Sequence, residues 1–200
     1  MIDAQHVQIR QPRYEDAAPI AGVHVRAWKQ AYMHLLPNGF FTEDHARSRI
    51  QQWSRILSAP SGEWSVSVAE AAGEIVGFAM ADPVHVATGV PGAVSGAVPR
   101  SVAAGAPGAD QPSVRELYML YVLDSHHGTG AGQALLDATV GHDPGALWVA
   151  KQNPRAIRFY QRNGFVFTGE EKSDPSAPAI TDARMFRNER SVEARKSGSN

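Results

Sequence analysis

Residues 117–137, LYMLYVLDSHHGTGAGQALLD, run a strand-like apolar segment into three alternating glycines, Gly128, Gly130 and Gly132, and then directly into an apolar helical pattern. A chain with that order must pass from strand to helix within a few residues, and glycine takes the left-handed backbone such a turn demands. The amides of the turn converge where the helix dipole favours negative charge, so an anion is a natural guest. Two readings stay open from this stretch alone: a phosphate-sized cradle, or a tight turn that only needs positive φ. A Walker loop is excluded, because Gly132 is followed by Gln133 and Ala134 where that loop requires lysine. A dinucleotide fingerprint fits poorly, since the third glycine falls one residue early and few residues follow for further parallel strands.

The rest of the chain places elements around this unit. HVQIR (6–10) alternates as a short strand, and 14–36 carries Ile20, Val23, Ala27, Ala31 and Leu35 at helical spacing until Pro37 and Gly39. Thr42 is positioned to cap a second helix with Ala46, Ile50, Trp53 and Leu57 on one face. Strands at 64–70 and 74–81 flank Ala71, Ala72 and Gly73, the spacing of a hairpin. Segment 82–113 is built mainly from Ala, Gly, Pro, Val and Ser without a sustained period, and is expected to be a mobile insertion, the alternative being an ordered flap over a ligand site. Structure resumes with a strand at 114–123, a helix at 130–140, a strand at 146–150, and a helix capped by Asn153, opened by Pro154 and closed at Gly164. Strands at 165–170 and 181–187 follow, and 188–200 is expected to be a polar, frayed tail.

Composition narrows the partners. At 200 residues and 43% hydrophobic content the chain can bury one sizeable core. A net charge of -1 gives no footprint for nucleic acid or an anionic membrane, and no apolar run approaches the ~18 residues of a membrane span. The absence of cysteine excludes disulfides, thiolate zinc sites and a cysteine nucleophile. No His or carboxylate set has metal-ligand spacing, so no metal is expected. The start of the chain lacks a signal-peptide plan, which suits a cytoplasmic protein, monomeric or homodimeric.

Two motifs together carry a resemblance. LYVLDSHHGTGAGQALL is a strand followed by a turn of the form Arg/Gln-x-x-Gly-x-Gly/Ala that opens a helix, and NPRAIRFYQRNGF supplies Asn153, Tyr160, Gly164 and Phe165 at the matching spacing. In this, and in element order over about 6–187, the chain resembles the GNAT superfamily of acyl-CoA-dependent acyltransferases. The resemblance implies a single α/β domain over 1–187, with a mixed, mostly antiparallel central sheet of six or seven strands and about four helices. It implies acetyl-CoA as co-substrate and a small-molecule primary amine as acceptor. The backbone of Leu120, Tyr121 and Val122 would pair with the pantetheine arm. His127, Gly128, Thr129, Gly130, Ala131, Gly132 and Gln133 would wrap the pyrophosphate, and Asn153 would touch the cofactor arm. Tyr160 would protonate the leaving thiolate, its phenol being a donor at neutral pH; the alternative is an aromatic residue that packs its short helix onto the sheet.

The sequence departs from the pattern in three places. His127 stands where Arg or Gln is usual, making a donor's charge depend on pH near ~6.5, so cofactor affinity is expected to be lower or pH-sensitive. Trp148 lies five residues before Asn153, where members that acetylate protein N-termini carry a glutamate base. The third departure is the insertion. Aminolysis of a thioester needs a base, and Glu116, on the strand leading to the turn, is the candidate; a carboxylate at a strand start is otherwise solvent-facing. His126 and His127 are adjacent, so at most one of them faces a site. Trp28 and Tyr32, four apart on one helix face, either line an acceptor pocket or belong to the core. The competing functions are a non-catalytic acyl-CoA-binding module, an acetyltransferase of peptide or protein amines, and an interaction domain using the insertion.

Overall fold

The computed structural model describes residues 7–37, 39–59, 64–84, 114–173, 175 and 177–188. Its elements run β1 (Gln8–Arg10), α1 (Ala17–Tyr32), α2 (Glu43–Ser58), β2 (Ser65–Ala71), β3 (Glu74–Val84), β4 (Val114–Val122), α3 (Ala131–Thr139), β5 (Gly145–Ala150), α4 (Pro154–Arg162), β6 (Val166–Ser173) and β7 (Thr181–Arg187). The seven strands form one sheet in the order β1-β2-β3-β4-β5-β7-β6, mixed because β4 and β5 pair in parallel while β1–β2, β2–β3, β5–β7 and β6–β7 are antiparallel. The expected fold class is thereby met.

Local chemistry explains most boundaries. Thr42 caps α2 through its Oγ, which accepts from the His45 N–H at 3.1 Å. The β2–β3 hairpin turns on Ala72 (φ 51) and Gly73 (φ 81), with Ala71 paired to Glu74, the two-residue geometry that matches strand twist. The helix expected over 14–36 is shorter: Tyr14–Asp16 and Met33–Leu35 are 3-10 turns on either side of α1. Asp16 is tied to Arg10 at 2.7 Å and to the Arg13 N–H at 2.6 Å, which holds the entry turn tight and the Asp16 carboxyl below its usual pKa. Strand β3 continues to Val84, three residues beyond the expected end, because a proline at a strand terminus forfeits only one ladder bond. The expected insertion, from residue 85 onward, and the tail from residue 189 lie outside the described residues.

Two compact units divide the described chain, one taking in residues up to Ala81 together with Met119–Gly141, the other Asp82–Tyr118 together with the residues from His142 on. In the first, Ile20, Val23, Trp53, Val68, Phe78, Met80, Leu135 and Leu136 are fully buried. Gly77 of β3 has no room for a side chain: a Cβ there would stand 2.9 Å from the Tyr121 carbonyl oxygen and 3.2 Å from Leu135. In the second, Leu147, Phe165 and Met185 form the interior, and the Arg187 guanidinium lies 4.8 Å over the Phe165 ring while donating to the Asp143 carbonyl at 2.8 Å.

Candidate functional site

The turn after β4 is built from its own hydrogen bonds. The Leu123 N–H donates to the Val76 carbonyl of β3, and those of His126 and His127 close a 3-10 turn onto Leu123 and Asp124. Gln30 of α1 grips Asp124 twice, donating to its Oδ1 at 2.6 Å and accepting its N–H at 3.2 Å. Gly128 (φ 83) and Gly130 (φ 90) then take the left-handed backbone, whereas Gly132 lies inside α3 and is not among the positive-φ residues. Only the first two glycines are therefore required by conformation.

Gly130 is the N-cap of α3 and brings no side chain to its amides, and the first turn holds no acid. The first amides of a helix have no intrahelical acceptor. Thr129 Oγ takes one of them, that of Ala131 at 3.4 Å, while donating to the His126 carbonyl at 2.8 Å. Cβ atoms added at Gly128 and Gly130 would meet nothing within 4 Å. Amides, a helix dipole and open space suit an oxyanion such as a pyrophosphate. The Gln133 side chain is turned along the helix to Asp137 at 2.9 Å, so the backbone is what it could offer.

The two histidines diverge as adjacent residues should. His126 Nδ1 meets Ser125 Oγ at 2.9 Å, while His127 Nε2 reaches back to the Val122 carbonyl at 2.8 Å. That carbonyl belongs to the backbone expected to pair with a pantetheine arm, so His127 acts on the turn itself.

On α1 and α2, Trp28 and Tyr32 are both buried, edge to face at 5.5 Å. Trp28 stacks on Phe40 at 5.8 Å and donates its indole N–H to Tyr121 Oη at 2.8 Å. His24 stacks on Tyr121 at 5.1 Å and accepts weakly from the Trp53 indole at 3.4 Å. Burial, then Arg49 and His45, push its pKa down to about 3, so it is neutral at physiological pH. Arg49 is half-buried on α2, with burial lowering its pKa and the Tyr121 phenol opposing that. Sequence reasoning missed Arg49 and His24; their spacing with Trp53 and Trp28 on facing helices was the available signal.

The second unit holds the acid and base candidates. Glu116, expected either as base or as a solvent-facing carboxylate, is half-buried; burial pushes its pKa up while Arg184 and Lys172 pull it down. Tyr118, two residues along the same strand face, has its phenol pushed up by burial, then by Glu116 and Asp82. Trp148 occupies its strand position between Lys172, 4.1 Å from the ring, and Arg184, 5.6 Å away, with Arg184 also 3.6 Å from Glu170. Alternation along β4 could have found Tyr118; Lys172 and Arg184 needed the β5–β7–β6 register. Asn153 caps α4, its Oδ1 accepting from Ala156 at 3.0 Å, and Tyr160 is buried against Phe159 and Phe165. Among the described residues no His, Asp or Glu cluster could hold a metal ion, and no helix is long and apolar enough to cross a membrane.

A seven-stranded mixed sheet, a glycine turn opening α3 and an Asn-capped α4 carrying Tyr160 define a class: the chain belongs to the Acetyltransferase (GNAT) family, whose model matches residues 25–165. It is an acyltransferase of the acetyl-CoA-using kind. It is 30% identical over 163 residues to the uncharacterized N-acetyltransferase YuaI of Bacillus subtilis, covering 78% of each chain. Its fold matches the PaiA N-acetyltransferase of Thermoplasma acidophilum, solved in complex with coenzyme A, at a TM-score of 0.57 and 20% identity, over 92% of this chain and 99% of that one. A Corynebacterium glutamicum structure described as histone acetyltransferase HPA2 and related acetyltransferase aligns at a TM-score of 0.59 and 23% identity, over 91% and 96%.

Proposed function

We propose that the chain moves the acetyl group of acetyl-CoA directly to a primary amine of a small molecule. The reading is carried by one observation, the left-handed turn at Gly128 and Gly130 that opens α3 with uncapped amides, and the absence of cysteine leaves no acetyl-cysteine intermediate for it to pass through. The turn at Gly128–Gly130 receives the pyrophosphate, with the amides of 128–133 as donors, and the backbone of Leu120, Tyr121 and Val122 aligns the pantetheine arm. Asn153, its Oδ1 committed to the α4 cap, meets the arm from the start of that helix.

Glu116 accepts the amine proton as nitrogen attacks the thioester carbonyl, and a carboxyl raised by burial is a better base near neutral pH than an ordinary glutamate. The C–S bond then breaks, and Tyr160 gives its phenolic proton to the departing sulfur. Trp28 and Tyr32 belong to the acceptor side. Thiol release with a panel of amines tests the reading: acetyl-CoA-dependent release with at least one small amine is expected, and Tyr160→Phe should lower kcat by about a hundredfold. Tight coenzyme A binding without release for any amine would mark a binding module, and release with peptides alone would move the acceptor to protein amines.

A further inference from the structure

The helical layer that carries Trp28 and Tyr32 has an unequal charge balance. Between residues 17 and 58 there are five cationic side chains, Arg26, Lys29, Arg47, Arg49 and Arg55, against two carboxylates, Glu43 and Asp44. Both carboxylates are exposed and sit within 4.0 Å and 3.1 Å of Arg47, on the outer side of α2. Helix α1 contains no acid at all.

Within this layer Arg49 is the half-buried cation, donating to Gln52 at 2.8 Å. Around it stand rings: His24, kept neutral, His45 four residues earlier on the same helix face, and the Tyr121 phenol. Phe40 packs at right angles to His45 at 5.3 Å and stacks on Trp28, which bonds the same Tyr121. Tyr121 therefore has two faces to its work, since its backbone lies in the strand given to the pantetheine arm and its side chain closes the aromatic cluster. A half-buried guanidinium is partly desolvated, and its five-donor fork can bind a planar anion through two parallel N–H donors beside the bond to Gln52. Rings of this kind take up an apolar body and tolerate little polar bulk.

Resting on the acetyl-transfer reading above, we infer that the acceptor is an amine that also carries a carboxylate on an apolar or aromatic body, and that Arg49 engages the carboxylate. A polyamine is disfavoured by the same charges, since each added ammonium meets a layer already positive.

Initial rates of thiol release at saturating acetyl-CoA, with phenylalanine, phenylalaninamide and spermidine as acceptors, test the inference on the full chain. The expected result is a kcat/KM for phenylalanine at least about tenfold above the other two, although the amide has the less basic amine and chemistry alone would favour it. Arg49→Gln should raise KM for phenylalanine by about ten- to a hundredfold, the scale of a charge-assisted hydrogen bond, with kcat and the KM for phenylalaninamide within about twofold. Arg49→Lys, which keeps the charge, should recover part of the loss, and the retained kcat with phenylalaninamide shows that Arg49→Gln folds. Equal or faster turnover of the amide or spermidine would overturn the inference, as would an Arg49→Gln defect shared by acid and amide. If no amine releases thiol, the acetyl-transfer reading fails on its own. Tryptophan fluorescence titrations with phenylalanine and its amide then decide the Arg49 site, where affinities equal in the wild type overturn it and a preference for the acid lost in Arg49→Gln supports it.

Discussion

His127 Nε2 lies 2.8 Å from the carbonyl oxygen of Val122, and because a carbonyl only accepts, that nitrogen carries the proton. The neutral Nε2–H tautomer and the imidazolium both satisfy this bond. The residue standing where the family has Arg or Gln thus braces the turn whatever its charge.

The first prediction follows from that bond. Calorimetric coenzyme A affinities of wild type and His127→Gln should keep a constant ratio from pH 5.5 to 8, which cancels the ligand's own titration. His127→Ala should bind about two- to tenfold more weakly, the range of one hydrogen bond. A wild-type advantage that fades as pH rises through the imidazole range would make His127 a charge contact instead.

Gly130 sits at φ 90, a conformation a β-branched side chain adopts only under strain, although the space around it is open. Gly130→Val should lose about 1–3 kcal/mol of unfolding stability in denaturant titrations and abolish coenzyme A binding. Undiminished affinity would remove the turn from the pyrophosphate site.

Gly77→Ala probes a different constraint. Its methyl group would stand 2.9 Å from the Tyr121 carbonyl oxygen and 3.0 Å from Val122 Cγ2, so β4 must shift. About 1–3 kcal/mol of destabilisation by urea unfolding is expected, with weakened coenzyme A binding because the displaced strand is the one assigned to the pantetheine arm.

Glu116 links pH to both stability and rate. Its pKa is raised in the folded state, so between the ordinary glutamate value and the raised one the folded chain binds the extra proton, and stability falls as pH rises through that window. Glu116→Gln should flatten this fall in thermal melts across pH. It should also lower kcat by about a hundred- to ten-thousandfold and remove the acidic step of the kcat/KM profile that lies below the acceptor amine's own titration. A variant with full activity would exclude Glu116 as the base.

Local chemistry made much of the fold legible. Thr42 and Asn153 cap their helices as read, the hairpin turns at Ala72 and Gly73, Gly164 ends α4 with φ 84, and β7 spans the expected 181–187. Each depends on a residue's own backbone preference or on a partner within four positions. The third glycine of the turn misled, because a residue inside the first helical turn needs no positive φ.

By itself, the sequence determined the element order, a glycine turn opening α3 and the lack of any thiol, since these follow from residue identity and short-range spacing. Tertiary structure alone decided that Glu116 is half-buried where Arg184 and Lys172 act on it, and that Trp28 and His24 gather on Tyr121, whose phenol acts on Arg49. Those pairs are distant in the chain or set by strand register and helix packing. Burial and charge, which give such groups their chemistry, exist only once the strands and helices have met.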